Sequence, residues 1–334
     1  MASRKNYYVG VDLGGTSLRA MVVDEKYRLL ASEKVRTPVG QKPRVTIAKM
    51  AEVIKAALGS AAIRSGNVAA VSVGAPGTIN ARHGVVEQAP NLGWTNVPLA
   101  SELRQRLGVP VRVDNDVNVG MMGEYALGAG RGAKDLVGIF VGTGIGGALI
   151  INGKLFEGAC GGAGEIGHTV ILVNGPLCHC GHRGCAEALA SRTAMERDVR
   201  AAIQSGQKSL VPKIMRKKGH TRMTSSVIQS ALNKHDRVME EVFKRAQYYL
   251  GILVANAVNL LDPERVVIGG GIAARLRDEF VAAIRETAYE YFIHAGRARA
   301  VKILPGKLDD DAGPLGAVVL ARRGAGVEQG TLKK

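Results

Sequence analysis

The sequence predicts two similar α/β domains with a cleft between them. Three observations carry this. The order strand–strand–strand–helix–strand–helix–strand occurs twice along the chain. In each copy, strands end in glycine turns at corresponding places. The length, 334 residues, suits one large domain or two ordinary ones.

In the first copy, Tyr7 to Asp12 alternates as a strand does and runs into the turn Gly14-Gly15. Leu18 to Val23 and Leu29 to Arg36 read as the second and third strands. A helix fits Val45 to Leu58. A buried strand, Val68 to Val73, leads into Gly74-Ala75-Pro76-Gly77. A helix near Leu99 to Leu107 follows, then a strand from Val111 to Val113 that ends at Asp114-Asn115-Asp116, and a helix from Val117 to Leu127.

The second copy opens with Leu136 to Val141, ending in Gly142-Thr143-Gly144. Ala148 to Ile151 turns at Asn152-Gly153, a strong hairpin signal, and a third strand starts at Lys154. Apolar residues from Phe243 to Leu260 mark one face of a long helix that must stop before Pro263. Val266 to Ile268 leads into Gly269-Gly270-Gly271. A helix from Leu276 to Tyr291 and a strand from Ala300 to Leu304 complete the set. The expected division is a small domain, 1–116, to which a helix at 313–323 returns, and a large domain, 117–312. The large domain carries an insertion from Glu157 to about Lys234. The polar segment 324–334 is expected to be a mobile tail.

Composition narrows the class. The hydrophobic fraction is 46% and the aromatic fraction 4%, so aliphatic side chains must fill the core. Met1 to Asn6 is followed by a strand rather than by an apolar signal core. The apolar stretch from Leu250 to Leu261 is too short to span a bilayer. A soluble, cytoplasmic protein is expected. Three of the four cysteines crowd into Cys178 to Cys185, which is not the pattern of a secreted disulfide framework. The formal charge is +16, and no acidic residue occurs between Val199 and His235. Lys208, Lys213, Arg216, Lys217, Lys218 and Arg222 fall in that stretch. Without a nucleic-acid motif beside them they read as a solvated face.

The glycine turns carry the chemistry. Gly142-Thr143-Gly144-Ile145-Gly146-Gly147 matches the dinucleotide pattern, but that fingerprint must open a helix, and here a strand and a hairpin follow. The P-loop pattern is absent. Glycine hairpins, one per domain, can instead grip a phosphate chain, because glycine lets backbone N–H groups approach an anion closely. The octet Asp12-Leu13-Gly14-Gly15-Thr16-Ser17-Leu18-Arg19 adds a carboxylate, a hydroxyl and a guanidinium to the first hairpin. A carboxylate at Asp116, between a strand end and a helix start, should stay ionised near neutral pH and accept a proton.

The octet resembles the first phosphate motif of the hexokinase, Hsp70 and actin superfamily. Gly142-Thr143-Gly144 is similar to its second phosphate motif, and Gly269-Gly270-Gly271 to its adenosine motif. Glu165-Ile166-Gly167-His168, followed by the segment from Cys178-His179-Cys180 to Gly184-Cys185-Ala186-Glu187, resembles the ROK family of sugar kinases and repressors. The resemblance spans about Tyr7 to Arg322. It implies a duplicated ribonuclease-H-like, actin-like ATPase fold. It also implies transfer of phosphate from Mg-ATP to the 6-hydroxyl of glucose, Asp116 being the general base. Asp12, Gly14, Gly15, Thr16, Arg19, Gly142, Thr143, Gly144, Gly269, Gly270 and Gly271 would then serve ATP and magnesium, with Asp12 as an outer-shell magnesium partner. Asn91, Asn115, Asp116, Glu165, His168 and Glu187 would contact the sugar.

Cys178, Cys180 and Cys185 are soft ligands suited to a structural zinc, and a disulfide is the less natural reading of three clustered thiols. His168, His179 and His182 are candidates for the fourth ligand. The two beside Cys180 would have difficulty completing a tetrahedron on so short a loop, and the family pattern selects His168. Cys160 should remain a free thiol. A homodimer or homotetramer is expected. Three other readings stay open: a ROK kinase for N-acetylmannosamine, N-acetylglucosamine, mannose or fructose; polyphosphate as donor; and a ROK transcriptional regulator. A strand starting near Tyr7 leaves no room for a regulator's N-terminal helix-turn-helix.

Overall fold

The structure is a computed structural model that describes residues 7–294, 296 and 300–331, excepting the side chains of 324–331. The chain divides into two compact units. The first runs to Gly132, and takes in Glu157–Ala163 and the chain from Asp310 onward; the second comprises Ala133–Phe156 and Gly164–Asp309. The change of unit thus falls after the helix that follows Asp116.

In the first unit, β1 (Tyr7–Leu13), β2 (Ser17–Asp24) and β3 (Leu29–Arg36) form an antiparallel meander. Helix α1 (Pro43–Ser60) follows, with proline in its first turn and an apolar stripe at Ile47, Met50, Ile54 and Ala57. Strand β4 (Val68–Ala75) then joins β1 in parallel. Three short strands, β5 (Thr78–Asn80), β6 (Val85–Ala89) and β7 (Trp94–Val97), make a small antiparallel sheet of their own. No strand is expected there from the sequence, because segments of three to five residues show too little alternation to stand out. Helix α2 (Leu99–Leu107) leads to β8 (Val111–Asn115), parallel to β4, and to α3 (Asp116–Leu127). The main sheet has the order β3-β2-β1-β4-β8. Its edge strand β3 carries Glu33, Lys34 and Arg36, charges that discourage pairing with another edge.

In the second unit, β9 (Leu136–Val141), β10 (Ile145–Ile151) and the two-residue β11 (Lys154–Leu155) repeat the meander. Asn152 and Gly153 sit at φ 51° and 74°, the left-handed pair that a tight hairpin needs. The insertion is mainly helical: α4 (Ala186–Ala190), α5 (Arg192–Gln204), α6 (Val211–Lys217) and α7 (Ser225–Leu232). The long α8 (Arg237–Leu261) starts on the side chain of Asp236, which accepts from the Met239 N–H at 2.8 Å, and stops before Pro263. Strand β12 (Arg265–Gly269) joins β9 in parallel. Helix α9 (Gly270–Glu290) opens within the glycine run, not at Leu276 as helix propensity suggests, and is kinked at Arg277. Strand β13 (Lys302–Pro305) completes a sheet ordered β11-β10-β9-β12-β13. Third, second, first, fourth, fifth is therefore the strand order of both five-stranded sheets. Among the described residues no helix is long and apolar enough to cross a membrane.

The last helix, α10 (Ala312–Thr331), begins before Pro314 and continues through 324–331, the segment expected as a mobile tail on its polarity. Residues 332–334 of that segment lie outside the described residues. The helix packs backbone to backbone in the first unit. A Cβ on Gly316 would lie 1.7 Å from the Val119 carbonyl oxygen of α3, and one on Gly10 of β1 would lie 1.9 Å from that of Pro314. Gly316→Ala should therefore cost at least about 1–3 kcal/mol in urea unfolding. Gly59→Ala, on α1 where a Cβ would meet nothing within 4 Å, should be neutral or gain about 0.5–1 kcal/mol. Equal stability of Gly316→Ala and the parent would refute the close seating.

Candidate functional site

The first unit gathers one group of the expected residues. Asp12 is the penultimate residue of β1, and Gly14 N–H closes the turn on the Ser17 carbonyl at 2.9 Å. Thr37 clamps the turn from outside: its hydroxyl donates to the Gly14 carbonyl at 2.7 Å, and its N–H to that of Thr16 at 3.0 Å. Gly15 and Thr16 are left exposed at the tip. Asn91 stands beside it, its Cβ 3.7 Å from where a Gly15 Cβ would be. Asn91 is exposed on a short 3-10 turn, Pro90–Leu92, while Trp94 just beyond is buried in the core. Arg19 lies opposite Asp12 in the β1–β2 register and forms an ion pair with Asp311 at 2.6 Å.

At the end of β8 the structure divides roles that the sequence runs together. Asn115, not Asp116, caps α3: its side-chain oxygen accepts from Val117 N–H at 2.9 Å and Asn118 N–H at 3.3 Å. Its amide donates to the Gly77 carbonyl at 2.9 Å, which leaves one amide hydrogen for a ligand. Asp114 is buried and tied to Asn115 N–H and the Asn118 amide.

Asp116 is the first residue of α3, and its carboxyl is pushed up to about 7. Desolvation by the surrounding protein is the main cause, and the Asp12 carboxylate adds to it; backbone N–H groups at Val117 and Asp116 pull the other way and lose. The expectation that the helix terminus holds Asp116 ionised is thus corrected: near pH 7 the group is poised between its two forms. Asp12 is raised to about 6, chiefly by burial, against the lowering influence of Lys34 and Arg19. Two desolvated carboxylates, the charge of Asp12 opposing the ionisation of Asp116, with Asp12 on the strand that leads into an exposed glycine turn, fit a magnesium–triphosphate.

The second unit gathers the rest. The turn Gly142-Thr143-Gly144 closes by the Gly142 N–H donating to the Gly144 carbonyl at 2.9 Å. Glu187, in the first turn of α4, accepts from the Ile145 N–H at 2.9 Å. A Cβ at position 144 would lie 2.2 Å from that same carboxylate oxygen, so glycine is required for Glu187 to reach the turn. Its other oxygen is 3.7 Å from the Cys178 sulfur. Glu165 is exposed, with an oxygen 4.0 Å from Nε2 of His168. Gly270 has φ 87°, and a Cβ there would lie 2.4 Å from the Val141 carbonyl oxygen. The triple-glycine turn is accordingly pressed onto β9, with Gly271 exposed at its rim.

His168, Cys178, Cys180 and Cys185 bring their donor atoms within 4.8 Å of one another. Nδ1 of His168 is 3.6 Å from the Cys178 sulfur, and the Cys180 and Cys185 sulfurs are 3.6 Å apart. Ligands ~2.0–2.3 Å from a tetrahedral zinc stand roughly 3.5–3.8 Å from one another, so the set fits that ion. Gly181 and Gly184, at φ 90° and 79°, make the tight loop. Burial pushes the Cys178 thiol up to about 12 and raises Cys185, whereas hydrogen bonds from His182 draw Cys180 down to about 6. A cation would let all three ionise. Cys160 is exposed and lies outside the cluster.

Sequence reasoning missed several participants. Asp310 and Asp311 contact Arg19, and Gly313 walls Asp12, its Cβ position 3.1 Å from the carboxyl carbon. Arg192 binds the Gly142 turn, its N–H donating to the Gly142 carbonyl at 3.0 Å and its guanidinium to the Thr143 hydroxyl at 2.6 Å. The run Asp309-Asp310-Asp311 was the one available signal; nothing local marks Arg192. The side chains expected on a basic face, Lys208 to Arg222, are all exposed, and Arg222 pairs with Glu196 at 3.0 Å.

With this geometry in view, comparison with known proteins places the chain. The ROK family profile matches residues 8–324. A glucokinase of Thermotoga maritima is 35% identical over 320 residues, covering 95% of this chain and 98% of that protein. A glucokinase of Halalkalibacterium halodurans is 32% identical over 318 residues, covering 95% of each. The crystal structure of a ROK family glucokinase from Streptomyces griseus, in complex with glucose and AMPPNP, superposes with a TM-score of 0.78 at 32% identity, covering 95% of this chain and 99% of that one. The chain belongs to the ROK family.

Two predictions follow from the electrostatics. Because the folded pKa of Asp116, about 7, exceeds its ordinary value of 3.8, the protonated form is favoured by folding. The associated stability is full below about pH 4 and is lost as pH rises through 7. Asp116→Asn should therefore raise the melting temperature at pH 8, and the gain should shrink towards pH 4; a gain that grew on acidification would contradict the assignment. Cys180→Ala should lose bound zinc, read by elemental analysis, and melt at lower temperature. Metal-free parent protein of unchanged stability would argue against a structural metal.

Proposed function

We propose that the chain is an ATP-dependent hexose kinase that phosphorylates the 6-hydroxyl of glucose, with Asp116 as general base. The observation that carries this is a carboxyl poised near 7 at the start of α3, close enough to Asp12, on the strand that leads into the exposed Gly14-Gly15 turn, for the Asp12 charge to raise it. A base matched to the working pH is what proton abstraction from an alcohol requires. The names of the relatives, and the glucose and AMPPNP held by the S. griseus protein, support glucose and ATP as the substrate pair. The common strand order of the two sheets supports reading them as duplicated ribonuclease-H-like halves of an actin-like ATPase fold.

In this reading Asp116 accepts the 6-hydroxyl proton as the sugar oxygen attacks the γ-phosphorus. The bond to the β–γ bridging oxygen breaks, ADP departs, and the proton is later released to water. Magnesium, held near Asp12, would neutralise phosphate charge. The glycine turns at 14–15 and 142–144 offer N–H groups to phosphate oxygens, and the 269–271 turn receives the adenosine. Asn91, Asn115, Glu165, His168 and Glu187 are assigned to the sugar hydroxyls. A zinc on Nδ1 of His168 would orient that ring and leave Nε2, on the Glu165 side, for the sugar.

Asp116→Ala should lower kcat by roughly 10²–10⁴ while sugar binding persists. For the parent, kcat/KM should rise with pH through about 7, as the free enzyme's base ionises. Glucose should give the highest kcat/KM among glucose, mannose, fructose, N-acetylglucosamine and N-acetylmannosamine. Near-normal turnover by folded Asp116→Ala would exclude the base; a tenfold preference for an N-acetylated sugar would replace glucose and leave the kinase reading standing.

A further inference from the structure

Within the second unit a run of neighbouring residues leads from the Gly142 turn towards the triple-glycine turn. It starts where Arg192 binds the Gly142 carbonyl and the Thr143 hydroxyl. Glu196, one helical turn further along α5, accepts from Arg222 Nε and Met223 N–H, both at 3.0 Å. Ser225 then opens α7 with its hydroxyl 3.2 Å from where a Gly271 Cβ would stand. Arg192 and Arg222 accordingly lie along the route from one glycine turn to the other.

The charge on this line is unbalanced. Arg192, Arg200 and Arg222 surround one carboxylate, Glu196, which is hydrogen-bonded by Arg200 at 2.7 Å and by Arg222. The guanidinium of Arg192 is left on a neutral hydroxyl. It is half-buried, and burial together with Arg222 draws its pKa downward. It is also the first residue of α5, where the helix dipole disfavours a cation. Each of these penalties reverses if an anion sits against the guanidinium. A neutral sugar would relieve none of them; a phosphate chain would relieve all, and the planar fork of arginine suits two of its oxygens.

We propose that Arg192, steadied by Thr143 and with Arg222 reinforcing the local potential, is a ligand of the nucleotide's phosphate chain. This rests on the reading of the glycine turns as a nucleotide site. The test is calorimetric binding of Mg-ADP to the parent and to Arg192→Ala, Arg192→Lys and Arg222→Gln, with KM for ATP and for glucose measured alongside. Arg192→Ala should weaken Mg-ADP binding and raise the KM for ATP about tenfold or more, with the KM for glucose and the melting temperature unchanged. Arg192→Lys should recover part of the loss. Arg222→Gln should have a smaller effect that fades at high salt. A folded Arg192→Ala that binds Mg-ADP as the parent does overturns the proposal. Should that variant melt early, unchanged binding by Arg192→Lys and by Arg192→Gln overturns it equally. Parent protein that binds Mg-ADP but phosphorylates no hexose would refute the kinase reading while still judging Arg192; parent protein that binds no Mg-ADP would refute both.

Discussion

The close seating of α10 on β1 and α3 is the constraint from which the first unit's chemistry follows. With Gly10 and Gly316 in place, backbone meets backbone, and a side chain at either position would force the layers apart. The same seating brings Gly313 against the Asp12 carboxyl and sets Asp311 on Arg19. Packing therefore creates the electrostatics. Water is displaced from Asp12, its pKa rises, and its charge in turn raises that of Asp116. A carboxyl poised near neutrality costs the fold stability, a common arrangement where a protein needs a base.

The second unit is organised around a shared carboxylate. Glu187 bonds to the strand that follows the Gly142 turn and lies beside Cys178 of the cysteine–histidine cluster. The cluster draws its four members together from the loop between His168 and Cys185, and that loop leads directly into α4, which bears Glu187. The glycine turn and the cysteine loop, which look like separate motifs in the sequence, thus meet at Glu187. Arg192, at the start of the next helix, fastens the other side of the turn.

Much of the fold was legible because its signals are local. Buried strands such as Val68–Ala75 announce themselves by apolar runs, and the Asn152-Gly153 hairpin by residues that tolerate positive φ. The small β5–β6–β7 sheet was not legible, since its strands are too short to show a period. Nor was the start of α9: glycine lowers helix propensity, and only the contact of Gly270 with β9 makes glycine the residue that the helix start requires. In the candidate site, acids, glycines and cysteines stood out by spacing. The capping role of Asn115 did not, because Asn115 and Asp116 are both good caps and which one turns inward depends on the strand before them.

By itself, the sequence determined the succession of the main strands and helices along the chain, the places of the glycine turns and the clustering of Cys178, Cys180 and Cys185, for these depend on residue type and spacing along the chain. Tertiary structure alone decided the ionisation of Asp12 and Asp116, the partnership of Arg19 with Asp311, and the placement of Arg192 on the second glycine turn. The physical reason is common to all three. Desolvation and charge–charge interaction depend on distance through space, and the groups involved come from segments as far apart as Arg19 and Asp311, which no local pattern connects.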